Sequence, residues 1–266
     1  MKKLSAVDDM WQTIRSEAAQ ASSEEPVLAS FFHATILNHD SFASAISFHL
    51  SNKLDSQAVP AMMIREVFDA AMVKEPNIEA AMRADISAYR ERDPACDRYF
   101  MPFLFFKGFH ALQAYRFAHY LWVRERRSLA LYLQNQISQT FGVDIHPGAR
   151  IGSGIMIDHA TGVVVGETAV VDDNVSMLHA VTLGGTGRQS GDRHPKIRQG
   201  VLISAGAKIL GNIEVGEGAK VGAGSVVLDS VPPHTTVAGV PARIVGRPRG
   251  ESPARDMDHD LNGNDD

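Results

Sequence analysis

From Ile145 to Val227 an aliphatic residue returns at almost every sixth position. The series runs Ile145, Ile151, Ile157, Val163, Ala169, Val175 and Val181, then Ile197, Ile203, Ile209, Val215, Val221 and Val227; only Ala169 is neither Ile nor Val. An amphipathic helix repeats at three and four and a two-sided strand at two, so a sustained period of six fits neither. It predicts a parallel β-helix, in which each hexapeptide supplies one short strand and one corner and its aliphatic side chain joins a stacked core. Glycines such as Gly206 and Gly224 fall near the expected corners, where a Cβ is penalised.

The count breaks once. Val181 to Ile197 is sixteen residues, six plus ten, so about ten extra residues are expected to leave the coil as a polar loop, 186–196, carrying Arg193 and His194. Insertions in a repeat array map to loops on one face, and that face is often where binding occurs.

Residues 1–140 follow a different pattern. Val7, Met10, Trp11, Ile14 and Ala18 recur at helical spacing, and Pro26 opens a second apolar segment through Phe31 to Leu37. Asp40 or Ser41 caps a third through Phe42, Ile46 and Leu50, while Pro60 and Pro76 precede helical runs at Met63 to Met72 and Ile78 to Tyr89. After a break at Asp93-Pro94, longer patterns cover Gly108 to Val123 and Arg127 to Phe141. The fold class expected is therefore α+β: an all-helical domain (1–140), with Trp11, Trp122 and the phenylalanines as its core, followed by a β-helix (141–247). Beyond it, residues 248–266 are acidic and poor in large apolar groups, which predicts a disordered tail.

With 44 % hydrophobic and 21 % charged residues, the composition is that of an ordinary globular protein. A net charge of −5 gives no general attraction to nucleic acid or an anionic membrane. The single cysteine, Cys96, excludes an internal disulfide and suits a reducing compartment. Met1-Lys2-Lys3 leads into polar sequence rather than a signal peptide, and the longest apolar run, Phe100 to Phe106, is far short of the roughly 20 residues a spanning helix needs. A cytoplasmic location is expected.

In an array of small and apolar residues the ionisable ones stand out: Asp144, His146, Asp158, His159, His179, Arg193 and His194. His146 and His179 are read most simply as solvated face residues. Asp158-His159 is different in kind, because an imidazole accepts a proton near neutral pH and a carboxylate beside it fixes the tautomer and supports the imidazolium.

These residues carry a family resemblance. The array, Gly-Phe-His-Ala-Leu-Gln-Ala-Tyr-Arg (108–116), Asp-Ile-His-Pro (144–147), Asp-His-Ala-Thr-Gly (158–162), Val-Thr-Leu-Gly-Gly-Thr-Gly (181–187) and Gly-Asp-Arg-His-Pro-Lys-Ile (191–197) closely resemble bacterial serine O-acetyltransferase. The resemblance implies a left-handed β-helix, a homotrimer or dimer of trimers with active sites between neighbouring coils, and transfer of acetyl from acetyl-CoA to the L-serine hydroxyl in cysteine biosynthesis. It implies His159 as general base and Asp144 as its orienting partner. Asp93 and Asp158 would hold the serine ammonium, and Arg193 and His194 its carboxylate. Gly185, Ala205 and Ala223 would pair with the pantetheine and Lys220 with the CoA phosphates, although small residues in a tight coil also have a structural reason to be there. No metal is implied, and L-cysteine is the expected inhibitor. Ser204 stands where the family usually shows glycine. Family members often end in an isoleucine that enters O-acetylserine sulfhydrylase; this sequence ends Asp265-Asp266, which argues against that partnership.

Three other readings compete. Another hexapeptide acyltransferase would act on a sugar or an amine, a metal-dependent hydratase would need His146, His159 and His179 to converge, and a scaffold would have no use for an ejected loop with Arg193 and His194.

Overall fold

A computed structural model describes residues 9–187 and 190–261. Expectations resting on Met1 to Lys3, Val7 and Asp265-Asp266 lie outside the described residues. Helices fill the first half: α1 (Asp9–Glu24), α2 (Ala29–Phe32, continued by a wider π turn over His33–Leu37), α3 (Phe42–Lys53), α4 (Ala61–Lys74), α5 (Asn77–Arg92), α6 (Phe100–Phe105), α7 (Lys107–Trp122) and α8 (Arg127–Phe141). Ser41 is the cap of α3, its Oγ accepting from Ser44 N at 3.2 Å. Trp11 packs between Phe42 and Phe103, and Phe68 stacks on Phe117 with centroids 3.9 Å apart. Trp122 departs from the expected core role: it is half-buried, with its ring edge-on to His146 of the coil at 4.9 Å. Among the described residues no helix is long and apolar enough to cross a membrane.

The β-helix begins directly after Gly142, whose left-handed φ of 68° ends α8. Its strands are β1 (Val143–Ile145), β2 (Arg150–Ile151), β3 (Met156–Ile157), β4 (Val163–Val165), β5 (Val170–Val171), β6 (Ser176–Met177), β7 (Thr182–Gly184), β8 (Lys196–Ile197), β9 (Leu202–Ile203), β10 (Lys208–Leu210), β11 (Glu214–Val215), β12 (Lys220–Val221) and β13 (Val226–Val227), closed by the hairpin β14 (Thr236–Gly239) and β15 (Ala242–Gly246). They form three faces of a prism. The first is β1-β4-β7-β10-β13, the second β2-β5-β8-β11, and the third β3-β6-β9-β12-β14-β15; all neighbours are parallel except the final hairpin.

The register corrects one point of the repeat count. Ile145 stacks on Val165, not Val163, and Val165 then stacks on Leu183 and Leu183 on Ile209. The step from Ile157 to Val165 is eight residues where that from Met177 to Leu183 is six, so two extra residues enter at 158–162. Leu183 to Ile197 is fourteen, so eight rather than ten leave at the large loop. The aliphatic series hid this because each hexapeptide has two inward positions, one on the strand and one at the preceding corner. Val163, Ala169, Val175 and Val181 are the corner positions, all buried, and the pattern passes from one set to the other without a visible gap.

The first coil has no coil beneath it, so its outward backbone groups need other partners. Helices α5 and α7 supply them. Tyr89 Oη donates to Ile157 O (2.8 Å) and accepts from Ile157 N (3.1 Å), Asp85 Oδ1 accepts from Ile155 N (2.9 Å), and Tyr115 Oη donates to Ala149 O. Arg116 donates to Gly152 O (2.8 Å), and His119 Nδ1 lies 2.8 Å from Pro147 O. Asp85 and Arg116 are themselves a buried pair at 2.6 Å, with Gln113 donating to the same carboxylate. Burial pushes the Asp85 carboxyl up, and Arg116 opposes it most strongly.

Removing one partner of a buried, hydrogen-bonded pair leaves an uncompensated group, so Arg116→Met is expected to lower stability by about 3–5 kcal/mol, measurable as a shift in urea midpoint. A second expectation concerns acid. His49 is buried against Phe103 and His110, its Nε2 lacks a hydrogen-bond partner, and burial, helped by Lys53, pushes its imidazole down to about 3. The unfolded chain takes up that proton near pH 6.5 while the native one refuses it, so stability present above pH 6.5 declines as pH falls toward 3. Urea titrations at pH 7, 5 and 4 are expected to show this slope, and His49→Leu to flatten it.

Candidate active site

A cavity of about 400 Å³ opens between the helical unit and the edge where the third face meets the first. Asp93, Asp158 and His159 all line it, together with Tyr89, Phe105 and Lys107. Asp93 terminates α5 in an extended conformation, as the following Pro94 requires, and its Oδ1 accepts from Ala95 N at 2.9 Å. Asp158 and His159 belong to the two-residue insertion. His159 and Ala160 both adopt left-handed φ angles, 55° and 59°, which cost side-chain-bearing residues about 1–3 kcal/mol each and gather at functional sites. The extra length turns the imidazole outward: its side chain is 72 % exposed, with Nε2 3.5 Å from Asp158 Oδ2 and the ring 5.8 Å from that of His179.

Asp144, in the middle of β1, accepts from Gln134 Nε2 at 2.7 Å. The carboxylate beside the imidazole in the single chain is Asp158.

Arg193 and His194 lie elsewhere, on the edge between the first and second faces. Arg193 Nη2 pairs with Glu167 Oε2 at 2.7 Å. Thr168 organises the returning loop: its Oγ1 accepts from Arg193 N (3.0 Å) and His194 N (3.2 Å), while its own N–H donates to His194 Nδ1 (3.2 Å). Nδ1 is therefore unprotonated, and burial, with Arg193 and Lys196 nearby, lowers the His194 pKa. The ring packs against Gly166, where an added Cβ would sit 2.0 Å from its Cδ2. Glu167 and Thr168 escaped the sequence reading; nothing in the repeat marks them, since their partners arrive from 26 residues ahead. His146 also sits on this edge, accepting from Gly148 N at 3.0 Å. It does not converge with His159 and His179, and among the described residues no three His, Cys, Asp or Glu side chains are grouped to hold a metal ion.

Of the residues expected to bind CoA, Ala205 and Ala223 occupy the His159 edge on the coils above it. A ladder of backbone bonds climbs that edge, with Ala180 N donating to Thr161 O (2.8 Å), Gly206 N to His179 O (3.0 Å) and Gly224 N to Ala205 O (2.8 Å). Gly185 is on the other edge, beneath Arg193. Lys220, on the third face, is 2 % exposed: its ammonium is 3.5 Å from Asp258 Oδ2 and donates to Asp260 O. Where composition gives the expectation of a disordered tail, the residues as far as Leu261 lie against this face. A short helix α9 (Pro253–Asp256) buries Ala254, whose carbonyl accepts from Ser176 Oγ at 2.7 Å, and His259 Nδ1 meets Ser204 Oγ at 3.0 Å. The acidic composition misled because the coil carries the complementary groups, Lys220 and Ser204.

A hexapeptide β-helix with a polar ejected loop, an exposed imidazole on a strained insertion and a ladder of small residues along the same edge defines an acyltransferase of the hexapeptide-repeat class. Residues 10–114 match the family model for the serine acetyltransferase N-terminal region, and 194–229 that for bacterial transferase hexapeptide repeats. The serine acetyltransferase of Salmonella typhimurium is 62 % identical over 96 % of this chain and 93 % of its own. A serine acetyltransferase solved in complex with cysteine superposes with a TM-score of 0.93 at 58 % identity, covering 94 % of this chain and 98 % of that one. The Brucella abortus enzyme in complex with coenzyme A gives 0.89 at 56 %, covering 91 % and 96 %. The chain belongs to the serine acetyltransferase family, enzymes that move an acetyl group from acetyl-CoA to the serine hydroxyl.

Because Asp258 and Asp260 of the tail meet the Lys220 ammonium, truncation after Gly250 is expected to make that lysine more reactive toward an amine-labelling reagent. Peptide mapping checks this, and equal labelling in the full-length protein would show that the tail does not cover it.

Proposed function

We propose that acetyl transfer to L-serine takes place in the cavity lined by Asp93, Asp158 and His159, with His159 as general base. The carrying observation is the convergence of these three side chains on one cavity, the imidazole set outward by the insertion. His159 takes the hydroxyl proton as the serine oxygen attacks the thioester carbonyl, and CoA leaves as the thiol when the tetrahedral adduct collapses. Two carboxylates facing the ammonium hold the substrate in that orientation, which converts binding into effective concentration at the reacting atoms. Asp144, whose Oδ1 accepts from Gln134, is the orienting carboxylate in this reading. Gly162 N donating to Gly142 O at 2.7 Å keeps β1 close beneath the His159 corner.

The carboxylate of serine needs Arg193 and His194, which stand across the first face of the same prism. A threefold assembly with first faces toward the axis sets the His159 edge of one copy beside the Arg193 edge of the next, and the half-exposed Val164 lies on that face. Ala205 and Ala223 from one copy and Gly185 from its neighbour then flank the acetyl-CoA arm. Lys220 meets the CoA phosphates once Asp258 and Asp260 release it. The same clamps accept L-cysteine, which differs from serine only in its thiol and occupies the related structure. Inhibition competitive with serine follows.

His159→Ala is expected to reduce kcat by ~10²–10⁴-fold without unfolding the protein, and Arg193→Ala to raise the KM for serine while leaving that for acetyl-CoA little changed. If the site is shared between copies, denaturing and refolding these two variants together recovers, at serine concentrations well below the raised KM, activity that neither has alone. CoA release followed by thiol titration reads both experiments, and no recovery in mixed assemblies would place the whole site within one chain.

A further inference from the structure

We propose that Tyr89 is a positioning residue for acetyl transfer: its hydroxyl, bonded to both peptide groups of Ile157, holds the insertion carrying Asp158 and His159 in its outward conformation. The inference rests on the reading of His159 as the base. Ile157 is the last regular residue before the insertion. Met156 N and Asp158 N donate to the second coil, at Val175 O (3.1 Å) and Met177 O (2.8 Å), so the Ile157 N–H and C=O are the groups of β3 that point to the open end. Tyr89 is 1 % exposed and both accepts and donates there, a pairing a neighbouring strand would otherwise supply. Burial raises the phenol pKa, keeping the donor proton in place.

Three further contacts make the attachment specific to this corner. Gly108 approaches so closely that a Cβ would lie 2.0 Å from Ile157 O and 2.9 Å from Tyr89 Oη, so α7 presses on the same peptide group. Just past the left-handed pair His159-Ala160, Lys107 Nζ donates to Thr161 Oγ1, and that stretch is thus tied at both ends. Finally, Tyr89 lies one helical turn before Asp93, whose N–H donates to Tyr89 O at 3.0 Å. One side chain therefore fixes the separation between the Asp93 end of the cavity and the Asp158-His159 end. Two consecutive non-glycine residues in the left-handed region persist only where their surroundings over-determine them, and these ties do so.

The test compares Tyr89→Phe, which keeps the ring against Phe106 and Phe109, with Tyr115→Phe, which removes an equivalent open-end hydroxyl at Ala149, outside the cavity. Tyr89→Phe is expected to lower kcat roughly 10- to 100-fold, as misplacement by about 1 Å does, with an unchanged KM for acetyl-CoA and a displaced acid limb in the kcat/KM profile for serine. Tyr115→Phe is expected to reduce thermal stability while retaining kcat. Wild-type kcat and pH profile in a folded Tyr89→Phe protein, or equal kcat losses in both variants, would overturn the proposal. Should Tyr89→Phe not fold, Thr161→Val releases the other end of the insertion from Lys107, and unchanged kcat in that variant is likewise disproof. His159→Asn is assayed alongside: full activity there would remove the base assignment itself, whatever the tyrosine variants do.

Discussion

A parallel β-helix has an open end, and the unpaired peptide groups of its first coil are the constraint on which the rest of this structure depends. Here they are satisfied by side chains instead of another strand. Asp85, Tyr89, Tyr115, Arg116 and His119, all from α5 and α7, bond to five different residues of the first coil. Because each buried donor or acceptor must find a partner, these bonds set the angle and depth at which the helical unit seats on the coil. The cavity containing Asp93, Asp158 and His159 is the gap left along one side of that seating.

The residues we propose for the chemistry sit where the repeat is broken. A regular hexapeptide coil turns its inward positions into core and leaves mostly small residues at the corners. Two residues added at 158–162 swing His159 out of the ladder, and eight added between β7 and β8 carry Arg193 and His194 back against Glu167 and Thr168. Both insertions flank the first face. If serine is held as we propose, its recognition is divided between two edges of the prism, which gives a geometric reason for assembly: one copy presents Asp93 and Asp158 in one direction and Arg193 and His194 in another.

The tail shows how composition and complementarity can disagree. A segment rich in Asp with two sizeable apolar residues has little hydrophobic reason to dock, yet it lies along the third face as far as Leu261. Its carboxylate and carbonyl groups meet the buried Lys220 ammonium. Ser204 and His259 add a second polar contact on the same path.

The period of six determined the β-helix by itself, since no other backbone turns inward every sixth residue, and proline and cap positions placed most helices to within a few residues. The residue types also pointed to Asp158, His159, Arg193 and His194, because their chemistry is local, and the family resemblance added Asp93. What the sequence could not settle were quantities that depend on stacking. The insertion at 158–162 was invisible because two inward positions share one apolar code, and only the register of Ile145 on Val165 exposes it. Tyr89, Glu167 and Thr168 look like ordinary helix and corner residues, and their partners Ile157, Arg193 and His194 are 68, 26 and 26 residues away. Separations of that order are set by how coils and helices pack, so only the tertiary structure decided which side chains meet.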